Sequence, residues 1–166
     1  VQKFDGIMKE LERHVDLIII DTPANFSREH LVLLSASDAI LPVLNPDDDT
    51  FLSTKKKLHE LQDFLGEFQI PGCVLNRVPL DFDEDYWLHR AEKEIAPVLG
   101  IVHMDELVTR AFSENLPVQV RYPNCRASKE LEQLAKSVAR FRIKPRKLQI
   151  VGRLDRALTK LRMLRG

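Results

Sequence analysis

Short apolar runs alternate with amphipathic helical patterns along most of this chain, and this alternation restricts the fold more than any other feature. The runs are "LIII" (17–20), "AILPVL" (39–44), "IPGCVLNRV" (70–78) and "IVHM" (101–104). Strands that are apolar throughout, with helices between them, are typical of parallel sheets covered on both faces. The sequence therefore predicts an α/β fold with three layers, a mostly parallel sheet with helices on both faces.

The segments between the runs carry helix signals. Apolar residues three or four positions apart predict helices at about 3–14, 28–35, 49–66, 83–97, 106–115 and 127–141. Ser27 is a suitable N-cap for the second helix and Asp105 for the fifth, and Gly66 is a suitable stop for the third. Pro97 and Gly100 are expected to end the fourth helix.

Size and cysteine content favour one intracellular domain. The chain can bury one substantial core, because 44% of its 166 residues are hydrophobic. Cys73 and Cys125 are far apart and form no CxxC pair, which favours reduced thiols and a cytoplasmic location. The sequence shows neither a signal peptide pattern nor an apolar run of membrane-spanning length.

A composition break near Lys144 separates a body, residues 1–143, from a basic tail, residues 144–166. The tail has eight Lys and Arg residues against Asp155, a formal charge of +7, so the body carries −7 because the whole chain is neutral. Apolar residues at three- and four-residue steps predict a basic amphipathic helix in the tail. Three interpretations stay open: this helix docks on a protein surface, lies on an anionic membrane, or binds DNA phosphates.

Polar residues end the apolar runs or follow them directly. They are Asp21-Thr22-Pro23, Asn45-Pro46-Asp47, Asn76-Arg77 and His103-Met104-Asp105. Ligands of open parallel sheets bind beyond the carboxyl ends of the strands. We therefore expect a binding site to form among these residues.

The residue types at the strand ends suit a nucleotide. A carboxylate such as that of Asp21, held by a rigid strand, can bind Mg²⁺, usually through a water molecule. The Asn76 side chain presents an acceptor beside donors, which matches the edge of a base such as adenine. Two simpler interpretations stay open, because Asp21 could cap the turn that follows and Asn76-Arg77 could be an ordinary turn.

Three segments resemble one known family. "DLIIIDTPANFSREHLVLLSASDAILPV" (16–43) closely resembles the Walker B and switch II region of the ParA/MinD family of deviant Walker A ATPases. "VLNRV" (74–78) looks like the family strand that ends in an adenine-contacting Asn, and the segment from "IVHM" to "LEQLA" looks like the base-flanking loop and the last helix. The resemblance covers roughly residues 1–141 and implies a P-loop NTPase-like fold.

The resemblance also implies roles for individual residues. Asp21 would be the Walker B acid close to Mg²⁺, and Thr22 and Pro23 would begin switch II. Asn76 would bind adenine, and Arg77, His103 and Met104 would belong to the same cofactor-binding site. The family implies ATP with Mg²⁺, a homodimer across the nucleotide, and an activating partner such as a ParB-like protein. The dimer positions DNA or another cargo, and residues 144–166 would reach nucleoid DNA or the inner membrane.

This sequence departs from the family at the phosphate-binding loop. The family signature is a Gly-rich "KGGxGKT" loop, whose backbone N–H groups, lysines and threonine bind the phosphates and Mg²⁺. None of the six glycines of this chain lies in such a pattern. The sequence therefore predicts an incomplete nucleotide-binding domain over residues 1–143, and we expect the chain to be the carboxyl-terminal part of a longer ATPase.

Two other functional classes stay open. One is a non-catalytic regulator that kept the fold, lost the phosphate-binding loop and acts through its basic tail. The other is a different enzyme of the same superfamily, such as an ATP-dependent ligase, with its substrate near Asn45 and Asp47.

We expect the isolated chain to show no measurable ATP hydrolysis and at best weak nucleotide binding, because the phosphates would lack the Gly-rich loop. Release of inorganic phosphate from MgATP by the purified chain measures this directly. Detectable turnover would contradict the expectation.

Overall fold

The computed structural model describes residues 2–23, 28–66, 68–81, 83–141 and 143. The predicted basic helix in residues 144–166 and the predicted N-cap Ser27 lie outside these ranges. The described residues belong to two compact units, one with residues 2–40 and 60–69 and the other with residues 41–59 and 70–143. The second unit contains the sheet.

Most of the predicted helices are present in the described ranges. In chain order the elements are α1 (Gln2–Leu11), α2 (Arg28–Ala36), β1 (Val43–Leu44), α3 (Asp48–Leu65), β2 (Cys73–Val78), α4 (Glu84–Glu94), β3 (Val98–His103), α5 (Glu106–Ser113), α6 (Val118–Arg121) and α7 (Arg126–Ala139). Gly66 follows α3 with a φ of 72°, the left-handed conformation expected at a helix end. None of the described helices is both long and apolar enough to cross a membrane.

The sheet is parallel, with β2 between β1 and β3. Leu75, for example, pairs with Leu44 of β1 on one edge and with Ile101 of β3 on the other. The connection from β1 to β2 contains α3 and the connection from β2 to β3 contains α4, as parallel pairing requires. The prediction of a parallel sheet built from βαβ units is confirmed.

Side chains of β2 alternate between two cores, one on each face of the sheet. Cys73 and Leu75 belong to a core that also contains Phe51 of α3 and Trp87 and Ala91 of α4. The residue between them, Val74, packs on the opposite face with Val102 of β3 and with α7, through Ala127, Leu131 and Leu134. Helices therefore cover both faces of the sheet, which confirms the three-layer prediction for this unit.

Arg90 of α4 contacts residues in the first turns of α3. Its guanidinium carbon lies 5.0 Å from the ring centroid of Phe51 and 5.0 Å from that of Trp87, in cation–π geometry. The same group forms hydrogen bonds with Asp48 of α3 and, at 3.1 Å, with Glu94 of α4. These contacts fix the helix that carries Glu84 at its beginning.

The prediction of a buried strand at residues 17–20 is wrong for the described structure. These residues form no strand, and the side chains of Leu17 and Ile19 are 55% and 82% exposed. A strand requires a neighbouring backbone as well as an apolar sequence, and no other described segment pairs with residues 17–20. Asp21 therefore follows an exposed segment and does not lie at the tip of a strand.

The boundary between α4 and β3 also differs from the prediction. The helix ends at Glu94, and the strand begins at Val98, so Pro97 lies between the elements and Gly100 lies inside the strand. A Cβ atom built on Gly100 would lie 3.0 Å from Leu134 Cδ1. Gly100 is therefore explained by the close approach of α7 to the sheet, and not by a helix end.

Gly72, just before β2, has no room for a side chain. A Cβ atom there would lie 2.5 Å from both Leu99 Cγ and the Pro97 carbonyl oxygen. We expect Gly72→Ala to lower the free energy of unfolding by about 1–3 kcal/mol, the usual cost of overpacking. Urea denaturation followed by circular dichroism measures the change.

Gly6→Ala is the matched control, because a Cβ atom at Gly6 would meet nothing within 4 Å. This residue lies inside α1, where alanine is favoured over glycine by about 0.5–1 kcal/mol. Equal effects of the two substitutions would contradict the interpretation of Gly72.

Candidate functional site

The carboxyl ends of β2 and β3 bring four of the predicted site residues together. Asn76 pairs with Val102, and Val78 pairs with His103. The Met104 N–H donates to the Val78 carbonyl oxygen at 2.9 Å. Asn76, Arg77, His103 and Met104 are therefore neighbours at one edge of the sheet, as the strand-end argument predicted.

Asn76 has a side chain that is available for a ligand. It is half-buried, and within the described part of the chain it forms no side-chain hydrogen bond. Side chains alternate along a strand, so Asn76 lies on the same face as Val74, the face covered by α7. An amide at this edge can present both an acceptor and donors to a ligand beyond the strand end.

Arg77 lies in an irregular position of β2. The pairing register between β2 and β3 shifts between Asn76 and Val78, and Arg77 has a φ of 57°. A non-glycine residue in this left-handed region costs about 1–3 kcal/mol, and such residues occur often at functional sites. The Arg77 side chain is exposed at this bulge.

The His103 side chain is buried and is held by two carboxylates. It is 8% exposed. Its Nδ1 atom lies 2.8 Å from Glu130 Oε1, and its Nε2 atom lies 2.9 Å from Glu84 Oε2. The His103 backbone N–H also donates to Glu130 Oε2 at 2.8 Å. Both ring nitrogens therefore have carboxylate partners within the protein. The predicted place of His103 beside the base stays a prediction.

Glu130 of α7 has three hydrogen-bond donors around it. Arg126 Nε donates to Glu130 Oε1 at 2.7 Å, in addition to the two groups of His103. Burial alone would raise the pKa of Glu130, but the hydrogen bonds from the His103 N–H, Arg126 and the His103 ring outweigh burial and lower this pKa. The ionised carboxylate is thus the stable form of Glu130 in the folded protein.

Asp105 accepts hydrogen bonds from the first turns of two helices, α5 and α7, near the same edge. Its carboxylate accepts from the Leu107 N–H of α5 at 3.0 Å and from the Ala127 N–H of α7 at 3.2 Å. The predicted N-cap role is confirmed. The pKa of Asp105 is lowered, chiefly by the hydrogen bond from the Leu107 N–H. Burial acts in the opposite direction, but the hydrogen bonds from Leu107, Ala127 and Cys125 together outweigh it.

Three residues of this edge were missing from the sequence prediction: Glu84, Arg126 and Glu130. Glu84 lies 19 residues from His103, and Glu130 lies 27 residues from it, so no local motif connects them. The one available signal was a histidine at the end of a strand, with acidic residues in the helices before and after that strand.

The other predicted site residues, Asp21, Thr22 and Pro23, belong to the first unit. Asp21 and Pro23 are exposed, and Thr22 is half-buried. Their predicted roles at a metal and in switch II stay predictions.

The described residues fit the base of a nucleotide better than its phosphates. The Asn76 amide, which has no hydrogen-bond partner among the described residues, could meet a base edge, and Arg77 and Met104 are exposed at the same strand ends. In the described ranges, no three His, Cys, Asp or Glu residues are grouped to hold a metal ion.

The parallel sheet with helices on both faces is similar to the fold of MinD proteins. Residues 2–138 match the family model described as cellulose biosynthesis protein BcsQ. The chain therefore belongs to this ParA/MinD-like family. The resemblance stated from the sequence is confirmed.

Two curated relatives support this placement. Both are uncharacterized ATP-binding proteins of Methanocaldococcus jannaschii, one 28% identical over 135 residues and the other 32% identical over 136 residues. The matches cover 81% and 80% of this chain and 50% of each relative. This chain thus spans about half the length of the curated relatives it matches.

Solved structures of MinD proteins share the fold. The cell division ATPase MinD of Pyrococcus furiosus superposes with a TM-score of 0.69 at 23% identity, covering 81% of this chain and 56% of that one. MinD of Pyrococcus horikoshii, complexed with Mg-ADP, gives 0.68 at 21% identity, covering 81% and 55%. A MinC:MinD complex of Aquifex aeolicus gives 0.73 at 16% identity, covering 88% and 61%.

Because the pKa of Glu130 is lowered in the folded state, the free energy of unfolding should depend on pH in the acidic range. A carboxylate with a lowered pKa in the folded state stabilises the protein above its ordinary pKa, 4.5 for Glu, and loses this effect as the pH falls through the folded value. We expect Glu130→Gln to lower the free energy of unfolding at pH 7 by about 1–3 kcal/mol. The gap between wild type and variant should narrow below pH 4.5.

Urea unfolding at several pH values measures this gap. Glu92→Gln is the control, since Glu92 is exposed on α4 and has no hydrogen bond to other described residues. A gap that stays constant or widens as the pH falls would contradict the prediction.

Proposed function

We propose that this chain supplies the adenine-binding edge of an ATP-binding domain of the ParA/MinD type. The observation that supports this most directly is the free Asn76 amide at the carboxyl end of β2. Arg77, held in a left-handed conformation, and the exposed Met104 stand beside it. His103 has a different role in this proposal, because both of its ring nitrogens are engaged by carboxylates.

The whole protein, in this proposal, binds ATP with Mg²⁺ and hydrolyses it. The printed names of the Methanocaldococcus relatives describe them as ATP-binding, and one MinD structure contains Mg-ADP. Asp21 would act as the acid close to Mg²⁺, and Thr22 and Pro23 would begin the segment that responds to the γ-phosphate. The phosphate-binding loop would have to come from sequence outside this chain, since none of its six glycines lies in such a pattern.

We further propose that the nucleotide controls a homodimer, which positions DNA or another cargo in the cytoplasm. A MinC:MinD complex among the related structures supports a switch that is read by a partner protein, and a ParB-like or other activator would stimulate hydrolysis. The basic residues 144–166 would hold the protein on nucleoid DNA or on an anionic inner membrane, because their charge of +7 favours a polyanionic surface.

A titration with adenosine, followed by NMR at the Asn76 side-chain amide, tests the proposed base site. We expect the Asn76 amide signals of the wild type to shift on binding. Asn76→Ala should weaken binding about tenfold, the effect of losing a hydrogen-bonded pair, as measured by isothermal titration calorimetry of both proteins. Adenosine is the probe because it needs no phosphate contacts.

Asn45→Ala is the matched control, since Asn45 is exposed just after β1 and is the residue favoured by the alternative of a different substrate site. Equal losses in the two variants, or a loss in Asn45→Ala alone, would refute the assignment of Asn76.

A further inference from the structure

The His103 ring connects two helices that are separated in sequence. Nδ1 contacts Glu130 in α7, and Nε2 contacts Glu84 in the first turn of α4. The ring itself belongs to the last residue of β3. One side chain therefore ties the end of a strand to a helix on each face of the sheet.

The two contacts of this bridge differ in strength. Glu130 is 16% exposed and accepts from the His103 backbone and from Arg126 as well as contacting the ring. Glu84 is 46% exposed, and the His103 ring is its one hydrogen-bond partner among the described residues. The contact between His103 and Glu84 is consequently the part of the bridge that can open.

The first turn of α4 is close in sequence to the proposed base site. Residues 79–83 lead from β2 directly into Glu84, and β2 ends with the bulge at Arg77. The N-cap Asp83 accepts from the Tyr86 N–H at 3.0 Å, which orders this turn. A displacement of Glu84 would therefore act on the short segment that follows Asn76 and Arg77.

We infer that His103 is a positioning residue. Its ring bridges Glu84 and Glu130, and this bridge holds the carboxyl-terminal edge of the sheet beside Asn76 in place. The part of this inference that concerns Asn76 rests on the proposed function. In this inference the bridge orients the edge of the sheet and does not itself contact the adenine base. Opening of the Glu84 contact would loosen the beginning of α4 and leave the Glu130 contact intact.

Glu84→Ala tests the bridge against a closely matched control. Asp85→Ala removes an acidic residue from the same helical turn, and Asp85 is exposed and has no hydrogen bond to another described residue. His103→Gln and the double variant with Glu84→Ala complete a cycle that isolates the coupling between the two side chains.

Amide hydrogen exchange at Tyr86 and Trp87 reports the first turn of α4 without any ligand. We expect Glu84→Ala to speed exchange roughly tenfold, the factor that a charge-assisted hydrogen bond contributes to an equilibrium. Asp85→Ala should have a much smaller effect, and Glu84→Ala should add little once His103 is Gln. Trp87 is the one tryptophan of the chain and is buried, so its fluorescence gives a second reading of the same turn.

The Asn76 side-chain amide signal distinguishes positioning from a purely structural bond. It should shift in Glu84→Ala and stay in place in Asp85→Ala. Equal exchange in the two single variants, an undiminished effect of Glu84→Ala in the His103→Gln background, or an unmoved Asn76 signal would each overturn the inference. Failure of adenosine to bind the wild type would refute the proposed function alone, because the exchange measurements contain no nucleotide.

Discussion

Pairing of β2 on both edges, together with burial of both its faces, is the constraint on which the sheet unit depends. Leu75 illustrates it, because its backbone lies between β1 and β3 and its side chain is fully buried against α3 and α4. A parallel strand of this kind can be joined to its neighbours through helical crossovers, which cover the sheet. The position of Asn76 at the carboxyl end of β2 then follows from the register of this one strand.

The fold of this unit could be predicted because the residues that determine each element are close together in the sequence. The apolar run at residues 70–78 predicts a buried strand, and the helical spacing on each side predicts the crossovers that parallel pairing requires. Asp105 could be predicted as a cap because a carboxylate directly before an apolar helical pattern commonly accepts the first free N–H groups. In each case the side chains that decide the structure are within a few residues of one another.

Residues 17–20 show where this kind of prediction fails. Their apolar pattern is stronger than that of β1, yet β1 is paired and residues 17–20 are not. Hydrophobicity records how much a segment gains by burial, but it does not record whether another backbone is present to accept its hydrogen bonds. The same limit applies to Arg77, since arginine is not a residue that signals a left-handed bulge, and to the partners of His103, which are distant in sequence.

The two parts of the proposed nucleotide site therefore depend on different kinds of structure. The base edge is formed by the β2–β3 pairing, the bulge at Arg77 and the His103 bridge, all within the sheet unit. These contacts fix the ends of β2 and β3 and the beginning of α4 relative to one another. Asp21, in the first unit, follows residues 17–20, which pair with no other described segment. The edge at Asn76 is therefore supported by contacts within its own unit, whereas the proposed role of Asp21 rests on the resemblance of its segment to the family.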